Sequence, residues 1–481
     1  MYRTLSKFTA FILAVTLAFC GCSGKSVVPK NAAPTTVTIW HYYNGAQKRI
    51  FDDLILEFNE TVGYEKNIAV EAYNQSTIDA LADKIMASAN KEVGSEDMPD
   101  IFSCYSDTAF TLNEMDLLCD INKYLTNDEK SQYIESYLKE GDFENNGSIR
   151  IFPIAKSTEV LMLNKTDWDK FAAATNANEN DLLTCEGITN LAESYYNWTD
   201  SQTPLPNDGK AFFGRDALAN YMIIGSMQLG EEIFTLKDGN GTISLDKEIF
   251  RKLWDNYYVP FIKGYFTAAG RFRSDDTKTG DLIAFVGSTA GSVYFPKEVT
   301  LADGSTYPIE GEVYPMPVFE NGENYATQQG AGMAVTASGE KRESAAVEFL
   351  KWFTDTSQNV EFSVSSGYLP VKTNANSQAD LDNAIETSDT KISPILVKTL
   401  NIGVDMTKNY KLYTSPSFKN TSIARNKIGN SIEDLAKADY LKVTENISNG
   451  MSKDEALSGF LSDEYFDHYF NTLSEEIKAL K

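Results

Sequence analysis

The sequence predicts an α/β protein of two domains with a ligand cleft between them. Its 481 residues are too many for one ordinary hydrophobic core. Strand-like apolar runs alternate with helical segments near the start of the chain, which is typical of βαβ units and a mainly parallel sheet. Residues 151–164 form two apolar runs joined by a polar step from Lys156 to Glu159. This step predicts a crossing between domains, where ligand pockets are common, although a buried strand with a polar kink would give the same pattern.

The elements of the first domain follow from hydrophobic periodicity. Apolar runs predict strands at residues 37–40, 67–73 and 101–105. A helix is predicted after the first strand because these apolar residues share one face: Phe51, Leu54, Ile55, Phe58 and Val62. A second helix is predicted over residues 77–86 with Thr77 as its N-cap, and a third is predicted to be capped by Ser106 and Asp107.

The rest of the chain is predicted to be richer in helix. Helices are expected over residues 181–196, 217–229 and 247–258, and a strand over residues 282–286. A second step from polar to apolar residues at 330–335 precedes a helix whose buried face carries Ala346, Phe349, Leu350 and Phe353. The segment SGYLP at 366–370 ends this pattern, and the last part of the chain is predicted to be helical.

Composition excludes several classes of partner. The formal net charge is −25 at pH 7, which opposes binding of the folded part to nucleic acid or to anionic membrane surfaces. With only two histidines and few cysteines, no metal site and no cofactor is predicted. Beyond residue 22 the cysteines are Cys104, Cys119 and Cys185, an odd number. They are predicted to be buried free thiols, with a bridge between the first two as the alternative.

Residues 1–21 predict a secretory signal peptide. Two basic residues precede an apolar run over residues 8–19, which is too short for a comfortable membrane span. Gly21-Cys22 resembles a bacterial lipobox, so cleavage before Cys22 would let its thiol carry lipid, with Cys20 as the alternative. Residues 22–36 are polar and punctuated by proline, which predicts a tether. The predicted location is the extracytoplasmic face of the cell membrane, held there by the lipid anchor.

Several segments together resemble the family 1 extracellular solute-binding proteins of bacterial ABC importers. They are the lipobox, TIWHYYNGAQ at 38–47, MPDIF at 98–102, FPIAKSTEVLMLNK at 152–165 and GYLPVK at 367–372. The maltose-binding and glycerol-3-phosphate-binding branches are the most similar. The resemblance implies a monomer with a two-lobed, periplasmic-binding-protein-like fold of type II, which closes on ligand by hinge motion. It assigns residues 37–154 and 330–378 to the N-terminal lobe, and residues 155–329 and 379–481 to the C-terminal lobe.

The resemblance also implies ligand-binding residues on both lobes. The family's binding positions fall on Tyr73, Ser106 or Asp107, Ser157, Gly330 and Tyr368, with Ser288 in the second lobe. Such residues suit a sugar, because its hydroxyl groups are bound by planar acceptors and donors such as carboxylates. The C–H faces of a sugar pack on aromatic rings, which can come from Tyr42, Tyr43, Tyr73, Tyr105 and Tyr368. Each ring can instead fill the core, and Trp40 is expected to do so because it lies within a strand.

Three departures from the family leave the ligand class open. The phosphate-holding arginine of the glycerol-3-phosphate branch is matched by Ser422, and Arg425 lies about one helical turn away. The segment GSTAGS at 287–292 lacks the sugar-stacking tryptophans of the maltose branch. Arg215 stands where some relatives have a binding tryptophan, and its guanidinium can pair with a carboxylate, a phosphate or the neighbouring Asp216. A carbohydrate is therefore predicted, with a glycerol phosphate or an acidic small molecule as the alternative.

We predict a binding protein and not an enzyme. A glycosidase needs two carboxylates that face each other across a cleft, and no motif marks Asp107 and Glu159 as such a pair. A Ser/His/Asp triad would depend on His41 or His468, neither of which lies in a catalytic motif. The predicted partners are the carbohydrate ligand and the permease and ATPase subunits of an importer. The alternative from another class is an extracellular hydrolase or an adhesin.

Overall fold

The computed structural model describes residues 33–237, 240–388 and 391–480. The predicted signal peptide, the lipidation site Cys22 and the tether up to residue 32 lie outside these residues. The strands are β1 (Thr35–His41), β2 (Ile68–Asn74), β3 (Ile101–Cys104), β4 (Glu159–Asn164), β5 (Phe213–Arg215), β6 (Phe234–Lys237), β7 (Asn240–Ile243), β8 (Ala284–Ser288), β9 (Glu298–Thr300), β10 (Thr306–Pro308), β11 (Gly311–Pro315), β12 (Tyr325–Thr327), β13 (Gly332–Val335) and β14 (Lys411–Tyr413).

Helices occupy most of the remaining chain. They are α1 (Gly45–Glu60), α2 (Val62–Lys66), α3 (Ile78–Ala89), α4 (Ser106–Glu114), α5 (Asn127–Lys130), α6 (Glu135–Lys139), α7 (Lys165–Thr175), α8 (Cys185–Asp200), α9 (Leu218–Gln228), α10 (Lys247–Asp255), α11 (Tyr258–Ile262), α12 (Arg273–Thr279), α13 (Glu340–Phe353), α14 (Thr356–Ser366), α15 (Gln378–Thr387), α16 (Pro394–Asn409), α17 (Thr421–Ser448), α18 (Lys453–Ser458) and α19 (Asp463–Lys478). Short 3₁₀ helices lie at Ile121–Tyr124, Glu179–Leu183 and Thr289–Tyr294.

The first sheet has the strand order β2-β1-β3-β13. Strand β1 pairs in parallel with β2 and β3, and β13 returns antiparallel to β3. Val37 and Ile39 pack with α1 and α13, whereas Trp40 packs with α3 and α4 in a separate apolar cluster. Helices therefore cover both faces of the sheet, which confirms the α/β prediction and places Trp40 in the core. We call the part of the molecule around this sheet the first lobe.

The second sheet has the strand order β11-β4-β8-β5. Strand β4 is antiparallel to both of its neighbours, and β5 is parallel to β8. All six side chains of β4 are buried, because helices pack on both sides of this central strand. We call the part of the molecule around this sheet the second lobe. Two lobes with separate hydrophobic cores confirm the predicted two-lobed fold.

The described chain passes between the lobes at two neighbouring segments, the first crossing (residues 155–158) and the middle crossing (327–331). Residues 367–371 lie beside these crossings and lead back into the first lobe, where Lys372 forms a bridge with Tyr133. Single bridges join Lys156 to Leu369 and Ser157 to Gln329, so the first crossing lies between residues 367–371 and the middle crossing. Gly330 has a φ of +92°, and a Cβ at this position would lie 3.1 Å from the carbonyl oxygen of Ala155. Glycine is therefore required for the crossings to approach this closely.

Two local predictions are wrong in detail. The regular strand of the crossing stretch begins only at Glu159, while residues 151–158 are joined to other segments by single bridges. Ser106 and Asp107 do not cap α4, because they lie in its first turn and Tyr105 occupies the N-cap position. By contrast, Thr77 caps α3 as predicted, accepting a hydrogen bond of 3.1 Å from the backbone N–H of Ala80.

The cysteines beyond residue 22 have the predicted state. Cys104, Cys119 and Cys185 are buried free thiols. Within residues 33–237, 240–388 and 391–480, no helix combines the length and the apolar character needed to cross a membrane. The residue boundaries assigned to the two lobes stay a prediction.

Candidate ligand-binding site

A cavity of ≈ 220 Å³ lies between the two lobes, with the middle crossing as its floor. The carboxyl end of β3 and the start of α4 form one wall, and α9, the loop after β14 and the start of α17 form the other. Parallel strands commonly place ligands at their carboxyl ends. The lining residues are Tyr105, Ser106, Asp107, Glu140, Asn220, Ile223, Ile224, Thr327, Gln328, Gln329, Tyr413, Thr414, Ser415, Ser417, Thr421, Ser422 and Arg425.

The first-lobe wall carries carboxylates and an aromatic ring. Four buried residues of β3 lead into Tyr105, which has extended backbone geometry and is 43% exposed. Asp107 follows in the first turn of α4, where its Oδ1 accepts a hydrogen bond of 2.8 Å from the backbone N–H of Thr108. Glu140, just after α6, accepts a hydrogen bond of 3.0 Å from Gln328 Nε2 and forms an ion pair with Lys156. This wall therefore presents acceptors to a ligand.

The second-lobe wall carries a guanidinium and hydroxyl groups. Thr421 and Ser422 open α17, and Arg425 follows Ser422 by three residues, so both side chains lie on one face of the helix. Arg425 Nη2 donates a hydrogen bond of 2.6 Å to Asn220 Oδ1 and forms no ion pair with any residue that the structure describes. The positive end of the α17 dipole points toward the same wall. This wall therefore presents mainly donors, opposite the acceptors of the first lobe.

Two oppositely charged side chains are buried in and beside the first crossing. Lys156 is 0% exposed, forms an ion pair with Glu140 and donates a hydrogen bond of 2.8 Å to the carbonyl oxygen of Gly330. Glu159 is 3% exposed and accepts a hydrogen bond of 2.8 Å from Asn220 Nδ2. Burial raises the pKa of the Glu159 carboxyl to about 7, and the bond from Asn220 opposes this rise. The crossing thus has a paired cation and a titratable acid.

The tyrosines after β1 have different environments. The hydroxyl groups of Tyr42 and Tyr368 lie 2.9 Å apart, within hydrogen-bonding distance, and burial raises the pKa of both phenols. Tyr43 is 1% exposed and packs against Phe51 and Phe362 in the first-lobe core. We therefore correct the prediction for Tyr43, because a ring enclosed by core aromatics cannot stack on a ligand.

Arg215 is the second correction. Its side chain is 6% exposed, its guanidinium stacks over the ring of Tyr221 at 4.5 Å, and its Nη2 lies 3.6 Å from Cys185 Sγ. Arg215 does not line the cavity, because β5 directs it into the second-lobe interior. The cation on the cavity wall is instead Arg425.

The remaining predicted residues do not line the cavity. Ser157 is 4% exposed and pairs through its backbone with Gln329. Gly330 lies beside it in the middle crossing, and Ser288 at the end of β8 is in register with Glu159. Tyr73 is exposed, and its hydroxyl donates a hydrogen bond of 2.8 Å to Glu71. Of the predicted residues, Tyr105 and Asp107 line the cavity itself, as does Ser106, the alternative to Asp107.

Sequence reasoning missed several residues of the cavity. Glu140 and Asn220 belong to no motif, and only the fold brings their helices to the crossings. Arg425 lies three residues after Ser422, which matches the family's arginine position. The spacing of Ser422 and Arg425 carried the missing signal, since residues three apart in a helix share a face.

Several solved structures with bound or recognised small solutes resemble this chain. A cyclic α-maltosyl-1,6-maltose binding protein from Arthrobacter globiformis is 18% identical, with a TM-score of 0.63 over 92% of this chain and 99% of that one. UgpB from Mycobacterium tuberculosis, in complex with glycerophosphocholine, is 16% identical, with a TM-score of 0.67 over 94% and 98%. The maltotriose binding protein of Thermus thermophilus is 15% identical, with a TM-score of 0.59 over 92% and 99%. No curated protein shows a significant sequence match.

Two α/β lobes that enclose a polar cavity are typical of proteins that capture small solutes. The family model described as bacterial extracellular solute-binding protein matches residues 53–388. The chain belongs to this family, which confirms the resemblance found in the sequence.

Proposed function

We propose that this protein captures a carbohydrate outside the cytoplasm and delivers it to an ABC importer. The observation that carries the proposal is the lining of the cavity. Planar acceptors and donors on Asp107, Glu140, Asn220 and Arg425 suit the hydroxyl groups of a sugar, and the ring of Tyr105 suits its C–H face. The two structural neighbours from Arthrobacter globiformis and Thermus thermophilus, which bind maltose-type sugars, support the same class of ligand.

The anchored form of the protein belongs to this proposal. Lipid on Cys22 would hold the lobes near the permease and ATPase subunits, and a monomer suffices because one chain supplies both walls of the cavity. The proposed lobe boundaries are those assigned above, at residues 154/155, 329/330 and 378/379. We propose no catalysis, because Glu159 is buried behind Asn220 and does not share the cavity with Asp107 as a glycosidase pair would.

A second candidate ligand class is an acidic or phosphorylated small molecule. It is favoured by Arg425, whose guanidinium forms no ion pair within the described part of the chain and lies near the positive end of α17. The UgpB structure with glycerophosphocholine supports this candidate, since that ligand carries a phosphodiester.

Thermal melts of the full chain against a ligand panel test the proposal. The panel contains maltose, maltotriose, a xylo-oligosaccharide, glycerol 3-phosphate and glycerophosphocholine. A ligand at about a hundredfold over its dissociation constant adds about 2.7 kcal/mol to the unfolding free energy, which raises the melting temperature measurably. A shift with a neutral sugar supports the carbohydrate proposal, and a shift restricted to the phosphorylated compounds supports the second candidate.

The variant Arg425→Gln separates the two classes. It should abolish a shift caused by a phosphorylated ligand, because the charge-assisted bonds are lost. It should only reduce a shift caused by a neutral sugar. Lys427→Gln, on the same helix and outside the cavity lining, is the matched control. If no compound of the panel raises the melting temperature, and further purified oligosaccharides also leave it unchanged, the carbohydrate proposal is wrong.

A further inference from the structure

Two clusters of three polar side chains connect the cavity to the crossings through hydrogen bonds and an ion pair. The first triad consists of Lys156, Glu140 and Gln328, and the second triad consists of Glu159, Asn220 and Gln329. Each contains one buried charge from the first-crossing stretch, one cavity residue from a lobe and one glutamine from the middle crossing. Glu140 comes from the first lobe and Asn220 from the second, so the two triads connect the same pair of crossings to opposite walls.

The paired glutamines direct their side chains to opposite lobes. Gln328 Nε2 donates hydrogen bonds to Glu140 Oε2 at 3.0 Å and to the carbonyl oxygen of Ser136 at 3.2 Å, both in the first lobe. Gln329 Oε1 accepts a hydrogen bond of 3.0 Å from Asn220 Nδ2 in the second lobe. Successive residues of an extended segment point in opposite directions, which explains why two adjacent glutamines can hold two different lobes.

The second triad reaches the cavity cation through Asn220, whose side chain uses both of its amide protons. Asn220 Nδ2 donates to both Glu159 and Gln329, and Asn220 Oδ1 accepts from Arg425 Nη2 at 2.6 Å. A primary amide has no further proton to donate, so any movement of the guanidinium must be followed by this amide or must break a bond. Buried polar networks of this kind favour one arrangement because an unpaired member is costly.

We propose that the two triads are positioning elements that set the relative orientation of the lobes from the walls of the cavity. Gln328 holds the first lobe through Glu140, and Gln329 holds the second lobe through Asn220. The inference rests on the proposed function in one respect. A ligand that binds Glu140 or Arg425 would change the orientation of the lobes through these hydrogen bonds. The role of the glutamines in the ligand-free protein does not depend on which ligand binds.

The triads differ in the partner of their acid, because Glu140 pairs with Lys156 whereas Glu159 accepts a hydrogen bond from the neutral amide of Asn220. The acid of the second triad has a pKa of about 7 because it is buried, and it faces Asn220 of α9, Arg215 and Asp216 at the end of β5, and Arg425 of α17. Protonation gives the Glu159 carboxyl a proton to donate and makes its oxygens weaker acceptors, which weakens the bond from Asn220. Lobe orientation should therefore change with pH through the second triad.

The distance between the lobes of the ligand-free full chain tests the proposal. Spin labels are attached through ketone-bearing amino acids at the exposed positions Asp79 and Asn426, which leaves the native cysteines untouched. Distance distributions are recorded one pH unit below and one above the Glu159 pKa of about 7. The wild type should show a shift between the two conditions, and Glu159→Gln should abolish it.

The glutamine variants then separate the triads. Gln329→Leu should change the distribution and remove its pH dependence, whereas Gln328→Leu should change the distribution and keep the pH dependence. Gln202→Leu, at an exposed position away from the crossings, is the control and should match the wild type. If a leucine variant does not fold, as judged by circular dichroism, the corresponding asparagine variant replaces it.

Distributions for both glutamine variants that superimpose on the wild type at both pH values would overturn the proposal. Because no ligand is present, this failure is distinct from a failure of the carbohydrate proposal, which would appear in the thermal melts alone.

Discussion

The two walls of the cavity hold buried charge in different ways. On the first-lobe side, Lys156 and Glu140 form a closed ion pair that Gln328 completes. On the second-lobe side, Glu159 has a neutral amide as its hydrogen-bond donor, and this amide in turn holds Arg425. The difference indicates that the first wall is fixed by a permanent ion pair, whereas the second wall can respond to protonation and to a ligand that binds the guanidinium.

The largest expected effect comes from breaking the ion pair of the first wall. Lys156→Met keeps the volume of the side chain and removes its charge, so Glu140 is left buried without a counterion. We expect the unfolding free energy at neutral pH to fall by about 3–5 kcal/mol. Urea denaturation of the variant and the wild type gives the difference.

The matched control is Lys139→Met, one residue before Glu140. Lys139 pairs with Glu135, and both side chains are exposed, at 68% and 80%. Exposed ion pairs contribute less than about 1 kcal/mol. A loss for Lys156→Met as small as that of the control would show that the first wall does not depend on the ion pair.

Glu159, the buried acid beside the second wall, should make the stability of the protein depend on pH. The pKa of Glu159 rises from 4.5 to about 7 on folding. The folded state therefore binds the proton more tightly than the unfolded state, which stabilises the protein at low pH. This contribution is lost as the pH rises from about 4.5 through about 7, and it amounts to about 3 kcal/mol.

Urea denaturation gives the unfolding free energy at each pH of that window. The plot of this free energy against pH should differ in slope between the wild type and Glu159→Gln, since only the wild type has the titrating group. Other acids titrate in both proteins, so the difference between the two curves isolates Glu159. Parallel curves would mean that the carboxyl has an ordinary pKa in the folded state.

An intermediate effect is expected at the acceptor of the first wall. Asp107→Ala should weaken binding of the ligand found in the melts at least tenfold, about 1.4 kcal/mol, because a planar acceptor for ligand hydroxyls is lost. Titration calorimetry measures the affinity. Asp97→Ala, at an exposed position outside the cavity lining, should bind normally, and equal affinity for both variants would remove Asp107 from the site.

The smallest effect is expected for the paired phenols of the first lobe. Tyr42→Phe removes the hydrogen bond with Tyr368 and should lower the unfolding free energy by about 0.5–1.5 kcal/mol. Tyr73→Phe removes an exposed hydrogen bond with Glu71 and should stay within about 0.5 kcal/mol of the wild type. Thermal unfolding of the two variants measures both losses of unfolding free energy. A larger loss for Tyr73→Phe than for Tyr42→Phe would contradict the assignment of Tyr73 as the exposed ring.

The sequence by itself determined the class of fold. Alternating strands and helices near the start of the chain require a covered parallel sheet, and the polar step after Ile154 marks the first crossing because apolar runs on both sides must be buried in different lobes. Local signals of this kind suffice because burial and periodicity act over a few residues.

The site was decided mainly by tertiary structure. Tyr43 and Arg215 have side chains that would suit a ligand, yet packing encloses one among core aromatics and the other beside Tyr221. Glu140 and Asn220 carry no local signal, and they become cavity residues because the crossings bring their helices together. Which polar side chains meet depends on contacts between residues far apart in the chain, and such contacts leave no periodicity in the sequence.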